Sequence, residues 1–522
     1  MRTICLLTAG LGIRMGRYAE LTNKTLLPVK GKAIISHIID QYPAGTTRFV
    51  VALGYRGEDV TTYLGWAHPH HQIEYVWIDN FAGPNSGPAY SVRQCAETIG
   101  EGEFTLITCD GYYECLASIS TGRNVLGVAR VDSSLQPLYC NVTVTDGCVA
   151  NIYDKERCST TSLAACGVYH IASPDTFFAH LNGVELSSGF AALSTDGGLD
   201  AVEILWRDLG SEQFYDAFVR EQHGTESFDY SKDGEFLYTV DIRNSVTPQR
   251  RVIKYFADSD IVEHRVLRAQ KRSYFPHIAA QHGRMYMYPF VEGHTLYAHN
   301  SPEIFRRLLN WMETSVWPQH PAHEQLTSQE CREFYWAKTY ARLAQFRIKH
   351  PDYAPQRING VDVDCSIESA LSRIDWDALW NPATLNERTA FIHGDFQFDN
   401  IITTPNGDFC LIDWRQDFAG QLWHGDKYYD IAKLKAGLLL NHDLIKRNTF
   451  TFEDVRGDVW YDVPTRGFHS TMCLELNTRY PDPCIDDIVT LIFLNMAPLH
   501  KAPYDRLLFS LALYRLMQKP VI

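Results

Sequence analysis

Apolar strand-like runs alternate with helix-like segments between residue 3 and about residue 130 of this 522-residue chain. The predicted strands are Ile4–Leu7, Arg48–Leu53, Gln72–Trp77 and Phe104–Cys109, and the predicted helices are Ala33–Ile39, Glu58–Leu64 and Tyr90–Ala96. This alternation predicts parallel strands, because a parallel pair needs a crossover connection. We therefore predict a doubly wound, Rossmann-like α/β domain that binds ligands beyond the carboxyl ends of its strands. Short strands in 124–172 predict an antiparallel insertion.

The pattern changes near residues 222–228, where turn-forming residues interrupt it. Beyond this break lie two strand-like runs, a helix and a further strand, and from residue 302 the pattern is mainly helical with a strand–turn–strand at 390–413. A chain of this length is expected to form more than one domain. We predict two domains, residues 1–224 and 225–522.

Charge and cysteine content exclude some classes of protein. The 48 basic and 62 acidic side chains give a formal net charge of −14, which argues against non-specific binding to nucleic acids or anionic membranes. The sequence contains no apolar run long enough to span a bilayer. Its 13 cysteines are scattered and form no CxxC pair, as expected for reduced thiols in the cytoplasm. The oligomeric state is left open.

A glycine-rich loop directly follows the first predicted strand. Ala9, Gly10 and Gly12 allow close approach of a phosphate to the backbone, Arg14 adds a cation, and Lys24 follows ten residues later. The spacing lacks the third glycine of a dinucleotide-binding motif and the Gly-Lys-Ser/Thr of a Walker loop. The glycines alone would favour a tight turn between a strand and a helix, and the added cations make a phosphate-binding loop the alternative.

The whole string resembles nucleotidyltransferases that act on sugar phosphates and phosphocholine. It reads Ala-Gly-x-Gly-x-Arg-Met, followed by Lys-x-Leu-x-Pro-Val-x-Gly-Lys, with Asn23 where that family usually has proline. The resemblance covers about residues 2–220. It implies that the loop and Arg14 hold the triphosphate, and that Lys24 steadies the charge that develops as an acceptor phosphate attacks the α-phosphorus and pyrophosphate leaves. It also implies that Asp110, at the end of a strand, binds Mg²⁺.

The same resemblance implies roles for residues farther along the chain. Asn85 and Gly87 would read the base of the nucleotide, and Lys155 would contact the acceptor phosphate. A second metal-binding aspartate is expected near the end of the domain. Asp216 is our choice and Asp241 the alternative.

A second motif lies in the segment 391–401, which contains His393, Gly394, Asp395 and Asn400. Asp413 follows thirteen residues after Asn400, at the end of an apolar strand. This spacing is typical of phosphotransfer sites. Asp395 can accept the proton of a hydroxyl group, and Asn400 and Asp413 can coordinate Mg²⁺ on ATP.

The pattern resembles aminoglycoside phosphotransferases and choline kinases over residues 225–522. The resemblance implies that Lys254 contacts the ATP phosphates, with Glu263 as its ion-pair partner, and that Met287 to Val291 form the hinge against adenine. It also implies that Asp430 caps a helix or holds the catalytic loop.

This resemblance implies an α+β, protein-kinase-like domain of two lobes, about 225–292 and 293–522. The segment 231–234 is the candidate glycine-rich loop.

Together the two halves predict a bifunctional enzyme. The kinase half would phosphorylate a sugar, polyol or choline with ATP. The other half would transfer a nucleotidyl group from a second NTP, CTP or UTP, to the product, giving an NDP-activated precursor for surface glycans or capsule. The expected partners are these small molecules and Mg²⁺. One alternative is that only one half is active and the other is a nucleotide-binding regulatory or scaffold module. Another is that the kinase half modifies an antibiotic.

Overall fold

The structure is a computed structural model of the whole chain. It describes all residues except 120, 157, 159–160, 197, 224–233, 243–248, 365, 367–369, 466, 468 and 520–522. The chain divides into two compact units. The first contains Met1–Gln222, Phe236–Ala257 and His282–Met287, and the second contains His223–Glu235, Asp258–Gln281 and Tyr288–Ile522.

A nine-stranded mixed sheet forms the centre of the first unit. Its strands lie in the order Gln72–Trp77, Thr47–Leu53, Arg2–Leu7, Phe104–Ile107, Leu163–Ile171, Val125–Arg130, Asp200–Glu203, Cys148–Asp154 and Cys140–Thr145. The first four are parallel, which confirms the predicted α/β arrangement. Leu163–Ile171 runs antiparallel to Phe104–Ile107, so the sheet is not doubly wound throughout.

Helices cover this sheet because its central strands are apolar on both faces. They are Arg17–Leu21, Ile34–Ile39, Gly57–Ala67, Pro88–Gln94, Ala96–Ile99, Pro174–His180, Ser187–Thr195 and Glu212–His223. Short strands Pro28–Val29, Lys32–Ala33, Gly111–Tyr113 and Trp206–Asp208 lie outside the main sheet.

Two strands that the sequence places in the kinase-like half pack within the first unit. Tyr238 of the strand Glu235–Ile242 is fully buried, and its ring lies edge-on to that of Tyr63, 4.9 Å between centroids. Tyr255 of the strand Gln249–Phe256 is also fully buried. These two strands are neighbours in a separate four-stranded sheet, in which the strand Met285–Pro289 lies next to Gln249–Phe256. Aromatic burial of this kind fixes both strands on the first unit.

The second unit is mainly helical. Its helices are Ser259–Ala269, Pro302–Trp311, Ser328–Cys331, Lys338–Lys349, Trp376–Leu379, Pro382–Arg388, Lys427–Leu439, His442–Lys446, His469–Arg479, Cys484–Met496 and Tyr504–Met517. Its strands are His294–Thr295, Arg357–Ile358, Val361–Asp362, Thr389–Ala390, Ile401–Thr403, Phe409–Leu411, Gly425–Asp426, Thr451–Val455 and Asp458–Asp462. Helix Cys484–Met496 is buried on nearly all sides and forms the centre of the unit.

No helix in the described part of the chain combines the length and apolarity that a bilayer crossing requires. The twelve cysteines that the structure describes are free thiols.

Candidate functional site

The glycine-rich loop lies at the carboxyl end of the strand Arg2–Leu7, as predicted. Thr8 closes the strand by donating its backbone N–H and its hydroxyl to the carbonyl of Ala52, at 3.1 and 2.7 Å. Gly12 has φ +66°, a left-handed conformation that favours glycine. The loop lines a cavity of about 400 Å³ together with the predicted residues Ala9, Gly10, Gly12, Arg14, Lys24, Gly87 and Asp110.

Asn23 fixes the segment that carries Lys24. Its buried side-chain amide donates to the carbonyls of Thr8 (2.9 Å) and Tyr55 (2.7 Å), and its carbonyl oxygen accepts from Thr25. All of its polar atoms are therefore used. The residue that departs from the family pattern positions the lysine that follows it, a role that the sequence did not reveal.

Lys24 and Asp110 form the charged centre of this site. The Lys24 Nζ lies 3.0 Å from Asp110 Oδ2, and the Thr108 hydroxyl donates to Asp110 Oδ1 at 2.6 Å. Burial would raise the pKa of Asp110, but Lys24 and the Thr108 hydroxyl hold it below its usual value. Asp110 is therefore ionised and able to bind a cation.

Asp208 is a second carboxylate at this centre. Strand Trp206–Asp208 pairs antiparallel with Gly111–Tyr113, with Asp208 opposite Gly111, the residue after Asp110. The Asp208 carboxylate accepts from the Tyr139 hydroxyl at 2.6 Å and from the Gly210 N–H at 2.7 Å. Burial, together with the charge of Asp110, raises its pKa. A cation between the two carboxylates would relieve this repulsion.

The two aspartates chosen from the sequence lie elsewhere. Asp216, on helix Glu212–His223, accepts from the Tyr18 hydroxyl at 2.7 Å and pairs with Arg17 at 3.3 Å. Asp241 is exposed and pairs with Arg250 at 3.1 Å. Neither lines the two cavities described here. Each of these two carboxylates instead has a cationic partner of its own, Arg17 for Asp216 and Arg250 for Asp241.

A second cavity, of about 510 Å³, adjoins the first. The two share Arg14, Pro88, Thr108 and Asp110. Lys155 lines the second cavity and forms an ion pair with Glu185. Aromatic residues complete its wall, namely Tyr139, Tyr169, Phe190 and Trp206. The predicted loop cations and the predicted acceptor lysine therefore lie in adjoining cavities.

The predicted base-reading segment borders the first cavity. Ser86 and Gly87 line it, whereas Asn85 does not and has a left-handed backbone, φ 65°. Gly87 begins the helix Pro88–Gln94, and a Cβ there would lie 2.5 Å from the carbonyl of Val184. Glycine is required by this close approach.

The second unit brings the residues of the other motif together. Asp395 Oδ1 accepts from the Gln397 side chain at 2.6 Å and pairs with Lys433 Nζ at 3.0 Å. The Asn400 side chain donates to the Asp395 backbone carbonyl at 2.8 Å. The N–H of Ile412, the residue before Asp413, donates to the Asn400 carbonyl at 2.9 Å. This bond joins the segments of the two predicted metal ligands.

Asp430 holds the loop that carries Asp395. Its two carboxylate oxygens accept the N–H groups of His393 and Gly394, at 2.8 and 2.7 Å. Burial raises the pKa of Asp430 to about 6, although the two hydrogen bonds act to lower it. Asp430 was predicted either to cap a helix or to hold the catalytic loop. The structure supports the second role, because Asp426 caps the helix Lys427–Leu439 by accepting a hydrogen bond from the Tyr428 N–H.

His393 has a defined tautomer. Its Nδ1 accepts from the backbone N–H of Asp395 at 3.2 Å, so the proton resides on Nε2, which donates to the Ile412 carbonyl at 2.9 Å. Burial lowers its pKa to about 4. The neutral ring therefore connects the Asp395 loop to the strand that leads to Asp413.

The remaining predicted nucleotide-binding residues are divided between the units. Lys254 and Met287 are buried residues of the first unit. Glu263 is exposed on helix Ser259–Ala269 of the second unit, and Val291 is half-buried there. Residues 231–233 of the candidate glycine-rich loop lie outside the described residues.

Comparison with known proteins identifies the N-terminal part. Residues 4–117 match the model of the MobA-like NTP transferase domain. Two Methanococcus maripaludis proteins named "Bifunctional protein GlmU" are each 24% identical, over 256 residues (46% of this chain, 59% of the relative) and over 220 residues (39% and 50%). The chain thus spans between half and three-fifths of these curated relatives.

Solved structures also resemble part of the chain. A UDP-glucose pyrophosphorylase from Acinetobacter baumannii covers 42% of this chain and 92% of its own, at 16% identity and a TM-score of 0.36. A UDP-glucose pyrophosphorylase complexed with UDP-glucose covers 43% and 98%, at 14% identity and a TM-score of 0.37. Together with its mixed α/β fold, the match over residues 4–117 shows that the first unit contains a nucleotidyltransferase-like domain.

Proposed function

We propose that the chain is a bifunctional enzyme that phosphorylates a small hydroxyl compound with ATP and then couples the phosphorylated product to a nucleotide. The single observation that carries the proposal is that, in each unit, an aspartate expected at the reaction site forms an ion pair with a lysine. These pairs are Asp110 with Lys24 and Asp395 with Lys433, both at 3.0 Å. The product would be an NDP-activated precursor for surface glycans or capsule.

In the first unit, an acceptor phosphate in the larger cavity attacks the α-phosphorus of an NTP in the loop cavity. A new P–O bond forms, the bond to the β-phosphate oxygen breaks, and pyrophosphate leaves. Arg14 borders both cavities, and Lys24 lines the loop cavity, so the two cations neutralise charge on the transferring phosphate. Lys155 orients the acceptor phosphate. CTP or UTP is the proposed nucleotide.

The donor set of the first unit fits Mg²⁺, which prefers carboxylate and phosphate oxygens. Asp110 and Asp208 would hold it, with NTP oxygens and water as further ligands. Among the described residues, no group of three or more His, Cys, Asp or Glu side chains is arranged to hold a metal ion. When bound, Mg²⁺ would neutralise charge on the triphosphate.

In the second unit, Asp395 accepts the proton of the acceptor hydroxyl. That oxygen forms a bond to the γ-phosphorus of ATP, the bond to the β-phosphate oxygen breaks, and ADP leaves. Asn400 and Asp413 offer the oxygen ligands that a second Mg²⁺ site needs, and Mg²⁺ there would neutralise the ATP phosphates. The roles of Lys254, Glu263 and the segment Met287 to Val291 in ATP binding stay predictions from the sequence resemblance.

The test is phosphorus NMR of the purified chain with Mg²⁺, ATP, a CTP/UTP/GTP mixture and a pooled acceptor panel. Lys24→Met should abolish the diphosphodiester signal and leave the monoester, whereas Asp395→Asn should abolish both. Lys32→Met and Asp408→Asn are matched controls, because Lys32 pairs with Asp40 and Asp408 lies in an exposed turn. A diphosphodiester that survives Asp395→Asn would separate the two activities.

The alternative is that one unit is active and the other only binds nucleotide. The match over residues 4–117 favours the first unit as the active one in that case. Tight ATP binding without ADP formation would support this alternative.

A further inference from the structure

Four cationic side chains lie near one another in the second unit, and one of them, Lys433, pairs with Asp395. Lys338 and Arg342 are on helix Lys338–Lys349, Arg415 follows Asp413, and Lys433 is on helix Lys427–Leu439. We call Lys338, Arg342, Arg415 and Lys433 the cationic cluster. Lys433 is buried and the other three are half-buried, so water screens their charges incompletely.

Two aromatic rings hold three of these cations close together. Lys338 Nζ lies 4.2 Å from the centroid of Phe334, and the Arg415 guanidinium carbon lies 5.0 Å from the same centroid. Lys338 and Lys433 lie 5.7 and 5.8 Å from the centroid of Tyr429. Cation–π contacts of this kind fix the positions of the ammonium and guanidinium groups.

The cluster carries more positive charge than the described carboxylates neutralise. Asp395 pairs with Lys433, and Arg342 donates to the Gln345 amide at 2.9 Å. Within the part of the chain that the structure describes, Lys338, Arg342 and Arg415 have no carboxylate within 4.0 Å. Burial is the main cause that lowers the pKa of Lys338 well below its usual value, and the positive charges of Arg415 and Lys433 lower it further. Adjacent cations at a partly buried site repel each other unless an anion binds between them.

We propose that the cationic cluster binds an acidic group, a carboxylate or a phosphate, of the hydroxyl compound that the second unit phosphorylates. The inference rests on the kinase activity proposed above and names its substrate class. Through Lys433 the cluster adjoins Asp395, which in the proposed function takes the proton of the acceptor hydroxyl, so we assign the cluster to the acceptor side of the reaction. In the proposed function, the ATP phosphates would instead meet the Mg²⁺ that Asn400 and Asp413 would hold.

This proposal excludes choline as the preferred acceptor. A quaternary ammonium group at the cationic cluster would add a fifth positive charge to the four of the cluster. A hydroxyl compound with an acidic group a few bonds away would instead place its anion at the cluster and its hydroxyl at Asp395. The aromatic rings Phe334 and Tyr429 are occupied by the protein's own cations.

The first experiment compares matched acceptors with the full chain, Mg²⁺ and ATP. The series are glycerol, glycerate and glycerol 3-phosphate; glucose, gluconate and glucose 6-phosphate; and choline and ethanolamine. We expect kcat/KM for an acidic member to exceed that of its neutral partner at least tenfold. Comparison of glycerate and gluconate with glycerol 3-phosphate and glucose 6-phosphate shows whether the cluster prefers a carboxylate or a phosphate. Equal or faster phosphorylation of a neutral or cationic compound would overturn the inference while the kinase activity stands.

The second experiment uses variants of the cluster. Lys338→Met and Arg342→Met should raise KM for the acidic acceptor at least tenfold and leave KM for ATP within twofold. Arg347→Met, an exposed position on the same helix, is the control and should change neither. A rise in KM for ATP alone would assign the cluster to the nucleotide and overturn the proposal.

Calorimetry separates failure of this inference from failure of the proposed function. The acidic compounds are titrated into Asp395→Asn protein, which cannot turn them over, with and without Lys338→Met. Binding that Lys338→Met weakens at least tenfold supports the acidic site, even if no acceptor is phosphorylated and the kinase proposal fails. Absence of binding, or equal binding to both proteins, overturns the inference.

Discussion

The hydroxyl of Tyr255 donates a hydrogen bond of 2.7 Å to the backbone carbonyl of Leu21, three residues before Lys24. Tyr238 on the neighbouring strand donates in the same way to the carbonyl of Leu26, at 2.6 Å. The two tyrosines therefore hold both ends of the segment that presents Lys24. Tyr255 also directly follows Lys254, so the strand that carries this predicted ATP-binding lysine also supports the segment of Lys24.

Tyr255→Phe should impair nucleotidyl transfer although Tyr255 touches no proposed substrate. Loss of the hydroxyl leaves the Leu21 carbonyl without this donor, which should cost about 1–2 kcal/mol in free energy of unfolding. We expect kcat for diphosphodiester formation to fall roughly three- to tenfold. Tyr75→Phe, on the exposed edge of the main sheet, is the control. Unchanged kcat in Tyr255→Phe would show that this contact does not position Lys24.

Asp208→Asn should reduce nucleotidyl transfer by at least about 100-fold, because a charged ligand is lost beside Asp110. Asp216→Asn should change it less than about fivefold, since Asp216 lies with Arg17 and Tyr18. The measurement is the rate of pyrophosphate release at several Mg²⁺ concentrations. Asp208→Asn should need more Mg²⁺ for half-maximal rate. The reverse ranking of the two variants would restore Asp216 as the metal ligand.

Gly10→Ala should separate folding from phosphate binding. A Cβ at Gly10 would meet no other atom within 4 Å, so we expect the free energy of unfolding to change by less than about 0.5 kcal/mol. The added methyl group would lie on the loop over which the triphosphate is proposed to pass. The KM for the NTP, measured by steady-state kinetics, should rise at least tenfold, while the melting temperature should stay unchanged. If KM stays constant, the triphosphate does not pass over Gly10.

The second unit should lose stability as the pH falls from about 6.5 to about 4. The pKa of His393 is lowered to about 4 by burial, so the unfolded chain binds its proton more readily than the folded protein in this range. The neutral ring therefore contributes stability above pH 6.5, roughly 3 kcal/mol for a shift of this size, and this is lost on acidification. His393→Gln retains a donor to Ile412 and does not titrate.

The check is chemical denaturation of both proteins at pH 7 and pH 5, followed by tryptophan fluorescence. The wild type should lose more stability than His393→Gln between these two values. Parallel pH dependence of the two proteins would show that His393 titrates normally.

The sequence predicts local features well and long-range pairings poorly. The parallel strands, the loop after the first strand and Asp110 all depend on short-range pattern, and the structure places them as expected. Asp208 depends on the pairing of two three-residue strands separated by more than ninety residues. Strands that short carry no periodicity from which a pairing can be read.

Domain membership shows the same difficulty. Strand pattern identifies the segments 236–242 and 249–256, but their packing depends on Tyr238 and Tyr255 meeting carbonyl groups more than two hundred positions away. Alternation along a strand gives no information on which sheet or helix will cover its buried face. Asp430 was predictable because the sequence from Gly425 to Leu434 resembles the start of a helix in the phosphotransferase family.

The packing of Tyr238 against Tyr63 bears on how genes of this type can be rearranged. A recombination event at the break near residue 224 would leave an N-terminal product without the strands that cover Tyr63 and hold Leu21 and Leu26. That product would expose aromatic surface and would tend to aggregate. The viable crossover points therefore lie after residue 287 or require a replacement for these strands. Exchange of the whole second half between genomes would have to leave the strands Glu235–Ile242 and Gln249–Phe256 with the first half.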